Sequence, residues 1–330
     1  MRNQILVTAI VCAMLAGCAA EPEPPAPEAA PEAPAPEAAP EAATPTPAPL
    51  PEVIVAERGG FIPEGIEYDM TNNRILTGSL AEGSIFQLHG DGRVTSVVTD
   101  PDLVSSIGIE VDELRDRLLV ANSDFSVFQT GGAGQAKLGV YNLATGERLA
   151  MVDLAAVITD PPDGAVYFAN DVAVADDGTA YITDTRMNLI YRVDTDYQAS
   201  VLHQFDDGGT GPNGIVHHPA GYLLVARGAA LWKVPVDDPA AATEVTLPEE
   251  VPGQDGMVWT AGRLAIVSSA DNRVVALTSD DDWATAELAG VATYEEGQAT
   301  TVAVVGDDLY VVYPHFGDED PPSVRRVVLQ

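Results

Sequence analysis

Two carboxylates and two carboxamides occupy one equivalent position in four copies of a repeated sequence pattern. They are Glu64, Asn170, Asn213 and Asp255. These side chains offer oxygen ligands and two negative charges, which is the ligand set that a hard divalent cation prefers. The residue types therefore predict a site for Ca²⁺ first and for Mg²⁺ or Mn²⁺ next. Four oxygens favour Zn²⁺ less, without excluding it.

A simpler interpretation of the same residues stands beside this one. Asn213 and Asp255 are each followed by glycine, and Asn-Gly and Asp-Gly pairs are common turn signals. Polar side chains at the mouth of a channel also bind ordered water and satisfy strand ends. An ordered set of four such residues favours a binding site over four independent turns.

The position that these residues share belongs to a repeat. Six segments combine a small or polar start, an alternating strand, a turn with Asp, Gly or Asn, and a second apolar strand. They recur about every 43 residues, with one longer interval of 63 residues. They begin at Pro63, Ser106, Ala169, Pro212, Gln254 and Gln298, and in the two segments without a polar ligand the shared position holds Ile107 and Ala299.

This period predicts an all-β fold, a six-bladed β-propeller, because each unit supplies two strong and two weaker strands. Equivalent residues of the first strands would then face one another across the central channel. Val53–Glu57 has the pattern of an outer strand, while the run Arg325–Leu329 ends the last unit one strand short. We expect the N-terminal strand to close the last blade, which removes open sheet edges. An open solenoid of six units is the alternative.

The N-terminal region predicts export. A single arginine precedes the apolar run Ile5–Leu15, which is too short to cross a bilayer. Leu15-Ala16-Gly17-Cys18 resembles a lipobox, so residues 1–17 are predicted to be a lipoprotein signal peptide and Cys18 the lipidated residue. The alternative is an ordinary signal peptide ending at Ala19-Ala20. Residues 18–52, rich in Ala, Pro and Glu, are predicted to be a disordered tether, and residues 53–330 the propeller.

These features predict a protein anchored by its lipid to a bacterial membrane, with the outer membrane as the default because Ala19 is not aspartate. The balance of 16 basic against 50 acidic residues gives a net charge of −34. Such a charge disfavours nucleic acid and anionic lipid surfaces as partners. Membrane contact is therefore expected through the N-terminal lipid only, and no protein partner is indicated.

The propeller segments resemble the SMP-30/gluconolactonase family of six-bladed propellers, also called regucalcin-like, over residues 53–330. The resemblance rests on the ligand order Glu, Asn, Asn, Asp along the blades and on the segments PEGIEYD, FANDVAV, GPNGIVHHPAGYLLV and GQDGM. It implies one divalent metal bound by Glu64, Asn170, Asn213 and Asp255. It also implies hydrolysis of a lactone or ester, with Asp255 as the catalytic general base and Glu64 as the alternative base.

One position departs from the family. Its sugar-lactone members have an arginine two residues before the first asparagine ligand, where this chain has Phe168. A more apolar ester or lactone is therefore an alternative to gluconolactone as the small-molecule substrate.

The walls of a substrate pocket are expected from the ends of the second strands and from the long insertion. For each polar candidate the alternative is a solvated loop residue. The candidates are Asn122, Asp124, Asp184, Arg186, Arg227 and His315, with Phe125 and Phe168 as apolar lining.

Two functions remain open from the sequence. The first is a divalent-metal-dependent lactonase or esterase. The second is a non-catalytic propeller that binds or scaffolds a partner and has a structural Ca²⁺ in its channel. The sequence contains no G-x-S-x-G nucleophile elbow, and its two cysteines, Cys12 and Cys18, leave no thiol in the propeller segment.

Overall fold

The computed structural model describes residues 50–206, 208–294, 297–317 and 320–330. The predicted signal peptide, Cys18 and most of the predicted tether lie outside the described residues. The described residues belong to a compact unit, Pro47–Gln330. Within them, no helix has both the length and the apolar character that crossing a membrane requires.

Short antiparallel strands make up almost all of the regular structure. The first twelve are β1 (Val53–Val55), β2 (Ile66–Asp69), β3 (Arg74–Thr77), β4 (Ile85–Leu88), β5 (Val94–Val98), β6 (Ser105–Asp112), β7 (Arg117–Ser123), β8 (Gly134–Asn142), β9 (Arg148–Asp153), β10 (Tyr167–Val174), β11 (Ala180–Asp184) and β12 (Leu189–Val193). The next twelve are β13 (Ala199–Gln204), β14 (Ile215–His218), β15 (Tyr222–Arg227), β16 (Ala230–Pro235), β17 (Thr243–Val245), β18 (Gln254–Thr260), β19 (Arg263–Ser268), β20 (Arg273–Thr278), β21 (Glu287–Thr293), β22 (Val302–Val305), β23 (Asp308–Tyr313) and β24 (Ser323–Val327). Short 3-10 helices cover Glu113–Arg115, Phe125–Phe128, Ala155–Val157 and Pro239–Ala241.

The described strands form four sheets of four strands and one sheet of eight. The four-stranded sheets are β2–β5, β14–β17, β18–β21, and β22–β24 with β1 at the edge. The eight-stranded sheet contains two consecutive antiparallel meanders, β6–β9 and β10–β13. They are joined because Tyr167 and Phe168 of β10 pair in parallel with Gly134 and Gln135 of β8.

The prediction of six blades is therefore not reproduced as six separate sheets. The cause is the 63-residue interval in the repeat, whose extra chain lets β10 begin early and lie beside the start of β8. The all-β propeller architecture itself is confirmed by the sheets.

The first strand of each meander lies in the middle of the molecule. β2, β6, β10, β14, β18 and β22 each contact the next in this order, and β22 contacts β2. β1 pairs antiparallel with β24, with Val53, Ile54 and Val55 opposite Arg325, Val324 and Ser323.

The core lies between neighbouring meanders. Every residue of β7, β11 and β15 is buried, because these second strands are covered on both faces. The outer strands β9 and β13 contain half-buried and exposed residues and none that is fully buried. Burial of each large aliphatic side chain contributes about 1.5–3 kcal/mol, so the stacked sheets hold the inner strands in place.

Candidate functional site

A cavity of about 200 Å³ opens at the end of the inner strands where the six repeated segments begin. All four side chains that the sequence identified as ligands line it. The complete lining is Glu64, Leu80, Ile107, Phe125, Phe128, Phe168, Asn170, Asn213, Asp255, Ser269, Gln298, Thr300 and Phe316. We call Glu64, Asn170, Asn213 and Asp255 the polar floor.

Two local devices turn the polar floor toward the channel. Glu64 and Asn213 lie just before β2 and β14, where the strand ladder has not yet begun. Asn170 and Asp255 lie at register shifts in β10 and β18, between Ala169 and Val172 and between Gln254 and Met257. Such β-bulges change the direction of a side chain relative to the regular alternation.

The glycines that follow floor positions serve close packing rather than turns. Neither Gly214 nor Gly256 has a positive φ. A Cβ on Gly214 would lie 2.2 Å from the carbonyl oxygen of Asp255, and one on Gly256 would lie 2.5 Å from Oγ1 of Thr301. Neighbouring inner strands converge at the channel, and only glycine fits between them. The turn interpretation of these pairs is therefore wrong.

Hydrogen bonds orient both carboxamides of the floor. Nδ2 of Asn170 donates to Oγ1 of Thr185 at 2.8 Å, and that hydroxyl donates in turn to the carbonyl of Pro212 at 2.7 Å. The side chain of Asn213 hydrogen-bonds the carboxylate of Asp255. A carboxylate accepts, so Asn213 donates its amide N–H. Each amide group thus donates one N–H within the protein, which leaves its oxygen available to the cavity.

Burial raises the pKa of both floor carboxyls. Burial raises the pKa of Asp255 to about 7; the hydrogen bond from Asn213 opposes this rise and the charge of Asp171 adds to it. Burial also raises the pKa of Glu64 well above its ordinary value, with further contributions from Asp255 and Asp171. A carboxyl with a pKa near 7 suits general acid–base catalysis at neutral pH.

Asp171 is a functional candidate that the sequence reasoning missed. Its carboxylate accepts from the backbone N–H of Val172 at 2.9 Å and of Ile215 at 3.1 Å. Burial raises its pKa to about 7. The bulge at Asn170 brings both members of the Asn-Asp pair to the channel, and in the repeat this second position is glycine in the other segments with a polar ligand. The replacement of glycine by Asp171 at this position was the sequence signal that could have identified it.

The acidic character continues along the channel. A second cavity of about 180 Å³ is lined by Glu67, Glu110, Asp171 and His217 among others. Burial raises the pKa of Glu67 to about 8 and also raises the pKa of Glu110. Among the described residues that line the two cavities, none is a lysine or an arginine.

The polar floor fits a hard divalent cation. The buried carboxylate of Glu64, the half-buried carboxylate of Asp255 and two oriented carboxamide oxygens form an oxygen donor set with two negative charges. In the described part of the chain no group of three or more His, Cys, Asp or Glu side chains is arranged to hold a metal ion. A cation at the floor would therefore depend on Asn170 and Asn213.

Four phenylalanines form one side of the cavity, and we call Phe125, Phe128, Phe168 and Phe316 the phenylalanine wall. The rings of Phe128 and Phe168 meet edge to face at 4.8 Å between centroids. Phe125 lies 5.7 Å from Phe128 and 6.3 Å from Phe316, with which it is stacked. The sequence predicts Phe125 and Phe168 as lining. It misses Phe128 and Phe316, which lie outside the six repeated segments.

Most of the polar pocket candidates have other roles. Asn122 is fully buried and bonds the backbone of Val104 and Asp102. Asp184 is fully buried and accepts from the backbone N–H groups of Phe168, Arg186 and Met187. The repeat pattern does not reveal that Asn122 and Asp184 hydrogen-bond these backbone groups.

The remaining candidates lie at or beyond the rim. The guanidinium of Arg186 lies 5.4 Å from the ring centre of Phe128, so it borders the wall without lining the cavity. Arg227 is buried, with its guanidinium over the ring of Phe205 at 4.1 Å. Asp124 accepts from Ser126 at the start of a 3-10 helix. His315 does not line the cavity, whereas its neighbour Phe316 does.

No protein-family model and no curated protein matches the chain. Among solved structures, it is similar to the major allergen Mala s 1 of Malassezia sympodialis, at 20% identity and a TM-score of 0.70, covering 85% of this chain and 97% of that one. It is also similar to an aldose sugar dehydrogenase of Streptomyces coelicolor in its PQQ-bound form, at 16% identity and a TM-score of 0.55, covering 86% and 100%. A luciferin-regenerating enzyme matches at 12% identity and a TM-score of 0.59, covering 84% and 94%. At these identities the likeness concerns the β-propeller fold alone.

Proposed function

We propose that this protein is a divalent-metal-dependent hydrolase of a lactone or ester. The observation that carries the proposal is the polar floor, in which one buried carboxylate, one half-buried carboxylate and two oriented carboxamides line the same partly apolar cavity. Pockets that combine an apolar lining with a few convergent polar groups and shifted pKa values are typical of active sites.

Glu64, Asn170, Asn213 and Asp255 would hold the cation, with Ca²⁺ as the first choice and Mg²⁺, Mn²⁺ or Zn²⁺ as alternatives. When bound, such an ion supplies Lewis-acid polarisation of the substrate carbonyl and matches the charge of the floor. Asp255 acts as the general base that removes a proton from the attacking water. The amide of Asn213 holds the Asp255 carboxylate in orientation.

At a finer level we assign the fold to a six-bladed propeller. Support comes from the ring of contacts among β2, β6, β10, β14, β18 and β22, in which the eight-stranded sheet contributes two inner strands. The core cluster that contains Ile54 of β1, Ile66 of β2 and Tyr310 of β23 spans the ends of the chain. In this assignment β1 completes the last blade and closes the ring.

The family and the location are part of the same proposal. The order Glu, Asn, Asn, Asp at the floor supports a relation to the SMP-30/gluconolactonase propellers. The sequence of residues 1–52 supports export, lipidation of Cys18 and anchoring at the outer membrane, on its periplasmic or surface side.

A second candidate function is a non-catalytic binding propeller with a structural Ca²⁺. The observation that favours it is the spread of the floor over four separate meanders, since an ion bound there would add a further link between strands of different meanders. In that case Ca²⁺ would raise the melting temperature and no substrate would be turned over.

Metal-dependent turnover separates the two functions. The full chain is stripped of metal with a chelator, resupplied with Ca²⁺, Mn²⁺ or Zn²⁺, and offered lactones and aryl esters. We expect one ion to restore hydrolysis in the wild type and Asp255→Asn to reduce kcat by at least about 100-fold, the lower range for loss of a general base.

Asp91→Asn serves as the matched control because Asp91 is an exposed aspartate remote from the cavity. Hydrolysis that persists in the chelator, or that survives Asp255→Asn, contradicts the proposed mechanism. Calcium binding with no turnover on any ester or lactone selects the second function.

A further inference from the structure

We propose that the cavity binds a substrate with a single flat aromatic ring, which lies against the phenylalanine wall with its ester or lactone carbonyl over the polar floor. The proposed site for the aromatic ring, which we call the ring site, is inferred from the geometry of the phenylalanine wall. The position of the carbonyl rests on the function proposed above.

The wall has the contacts of a preformed aromatic site. Phe168 is buried and holds Phe128 edge to face, while Phe125 links Phe128 to Phe316. Phe128 is nonetheless 49% exposed and Phe316 is 39% exposed. Exposed aromatic surface gathered at a cavity mouth marks a place where a ligand is buried. Ring pairs add stabilisation beyond the buried area, which favours an aromatic occupant over an aliphatic one of equal size.

The cavity lining is chemically mixed. Besides the wall, Ser269, Gln298 and Thr300 contribute uncharged polar side chains. The hydroxyl of Thr300 donates to the backbone carbonyl of Glu64, so these polar groups adjoin the floor. A ligand with one apolar face and one polar end satisfies both kinds of lining, whereas a polyhydroxylated sugar ring would leave hydroxyls unpaired against the phenylalanines.

The volume of the cavity suits a ligand with one ring. Its volume is about 200 Å³. An apolar cavity of about 150 Å³ accommodates benzene, so the remaining space holds one small carbonyl-bearing group.

Binding is tested first, without any chemistry. Acetophenone carries a ring and a carbonyl and cannot be hydrolysed, and cyclohexyl methyl ketone is its saturated counterpart. Ligand-observed NMR with the full chain measures both dissociation constants. We expect acetophenone to bind more tightly than the saturated ketone. The double variant Phe128→Ser/Phe316→Ser should weaken acetophenone by roughly tenfold, because two ring contacts are lost from exposed positions.

Leu114→Ser is the matched control, since Leu114 is an exposed apolar residue at 81% exposure outside the cavity. It should leave both constants unchanged. Equal affinities for the two ketones, no binding of either, or an unaltered constant in the double variant would each overturn the inference.

Hydrolysis of phenyl acetate and ethyl acetate then separates this inference from the proposed function. If both esters are cleaved and the double variant lowers kcat/KM for phenyl acetate alone, the inference is supported together with the hydrolase. Wall-dependent binding of acetophenone without cleavage of any lactone or ester would support the ring site and refute the hydrolase. Cleavage that is indifferent to the double variant would refute the ring site and leave the hydrolase standing.

Discussion

At the scale of single residues, the hydroxyl of Thr185 decides how the carboxamide of Asn170 faces the cavity. Thr185 itself does not line the cavity. It accepts from Nδ2 of Asn170 and donates to the carbonyl of Pro212, which leaves Oδ1 of Asn170 as the free atom. Groups behind a metal ligand commonly change metal affinity by about 10–100-fold when removed.

We therefore expect Thr185→Val to weaken Ca²⁺ binding by about tenfold, because valine keeps the shape and removes the hydroxyl. Thr185→Ser, which retains the hydroxyl, should bind as the wild type does. Calcium titration calorimetry on the full chain measures the difference. Equal affinities in the valine and serine variants would mean that Thr185 acts through packing rather than through orientation of the amide.

The buried channel carboxyls predict a pH dependence of stability in metal-free protein. Burial raises the pKa of Asp171 and Asp255 to about 7 and of Glu67 to about 8, from ordinary values of 3.8 and 4.5. A raised carboxyl pKa means that the folded state holds a proton that the unfolded state releases. Its stabilising contribution is complete below the ordinary pKa and is lost as the pH rises through the folded pKa.

The melting temperature in chelator is thus expected to fall as the pH rises from about 4 to about 8. Asp171→Asn should reduce the slope of the unfolding free energy against pH by up to about 1.4 kcal/mol per pH unit, since it removes one titrating group. The melting temperature of this variant should accordingly depend less on pH. Asp91→Asn should leave the slope as it is, because Asp91 is exposed. A stability that rises with pH over this window would contradict the assigned direction of the shifts.

At the scale of elements, convergence of the inner strands explains the glycine that follows several floor positions. The would-be Cβ of Gly214 meets backbone of β18 at 2.2 Å, and backbone cannot move aside as a side chain can. A Cβ on Gly65 would similarly meet the carbonyl of Ile107 at 2.5 Å. The strands can approach this closely only because one side lacks a side chain.

Gly214→Ala is accordingly expected to lower the free energy of unfolding by about 3 kcal/mol, as overpacking at a rigid contact does. Gly59→Ala provides the comparison, because its nearest atom would lie at 3.8 Å and its φ is not in the left-handed region. Urea unfolding of both variants gives the two values. Similar stabilities for the two variants would show that the inner strands separate at little cost.

At the scale of the whole molecule, the first and last strands of the described residues pair in one sheet. Ile54 of β1 is 1% exposed and packs in the cluster that also contains Ile66 and Tyr310. Its neighbour Val55 points outward at 48% exposure. The N-terminal strand thus has one buried residue that joins the last sheet to the first inner strand.

Ile54→Ala should therefore destabilise the fold by about 2–5 kcal/mol, the cost of a large-to-small change in a core. Val55→Ala, on the same strand and facing solvent, should change stability by less than about 0.5 kcal/mol. Thermal unfolding of the full chain distinguishes them. Equal small effects would indicate that β1 contributes little to the stability of the last sheet.

Much of this organisation can be predicted from the sequence because the blades repeat. A period near 43 residues and the two-residue alternation of apolar side chains report local burial, so they predict the all-β propeller. Equivalence of position within the repeat predicts that Glu64, Asn170, Asn213 and Asp255 lie together, and all four line one cavity. The lining residues Phe125 and Phe168 follow from the same repeat and its long insertion.

Other features depend on contacts between distant parts of the chain. The bulge that turns Asp171 into the channel, the parallel pairing of β10 with β8, and the stacking of Phe125 on Phe316 all arise when the sheets pack. The repeat pattern predicts Asn122 and Asp184 as pocket residues, but both side chains hydrogen-bond buried backbone groups instead.

The sequence by itself determined the repeated strands and the residue types at the channel. Only the tertiary structure decided which oxygens and which rings face the cavity, because side-chain direction there is set by strand convergence and by partners that local patterns do not contain.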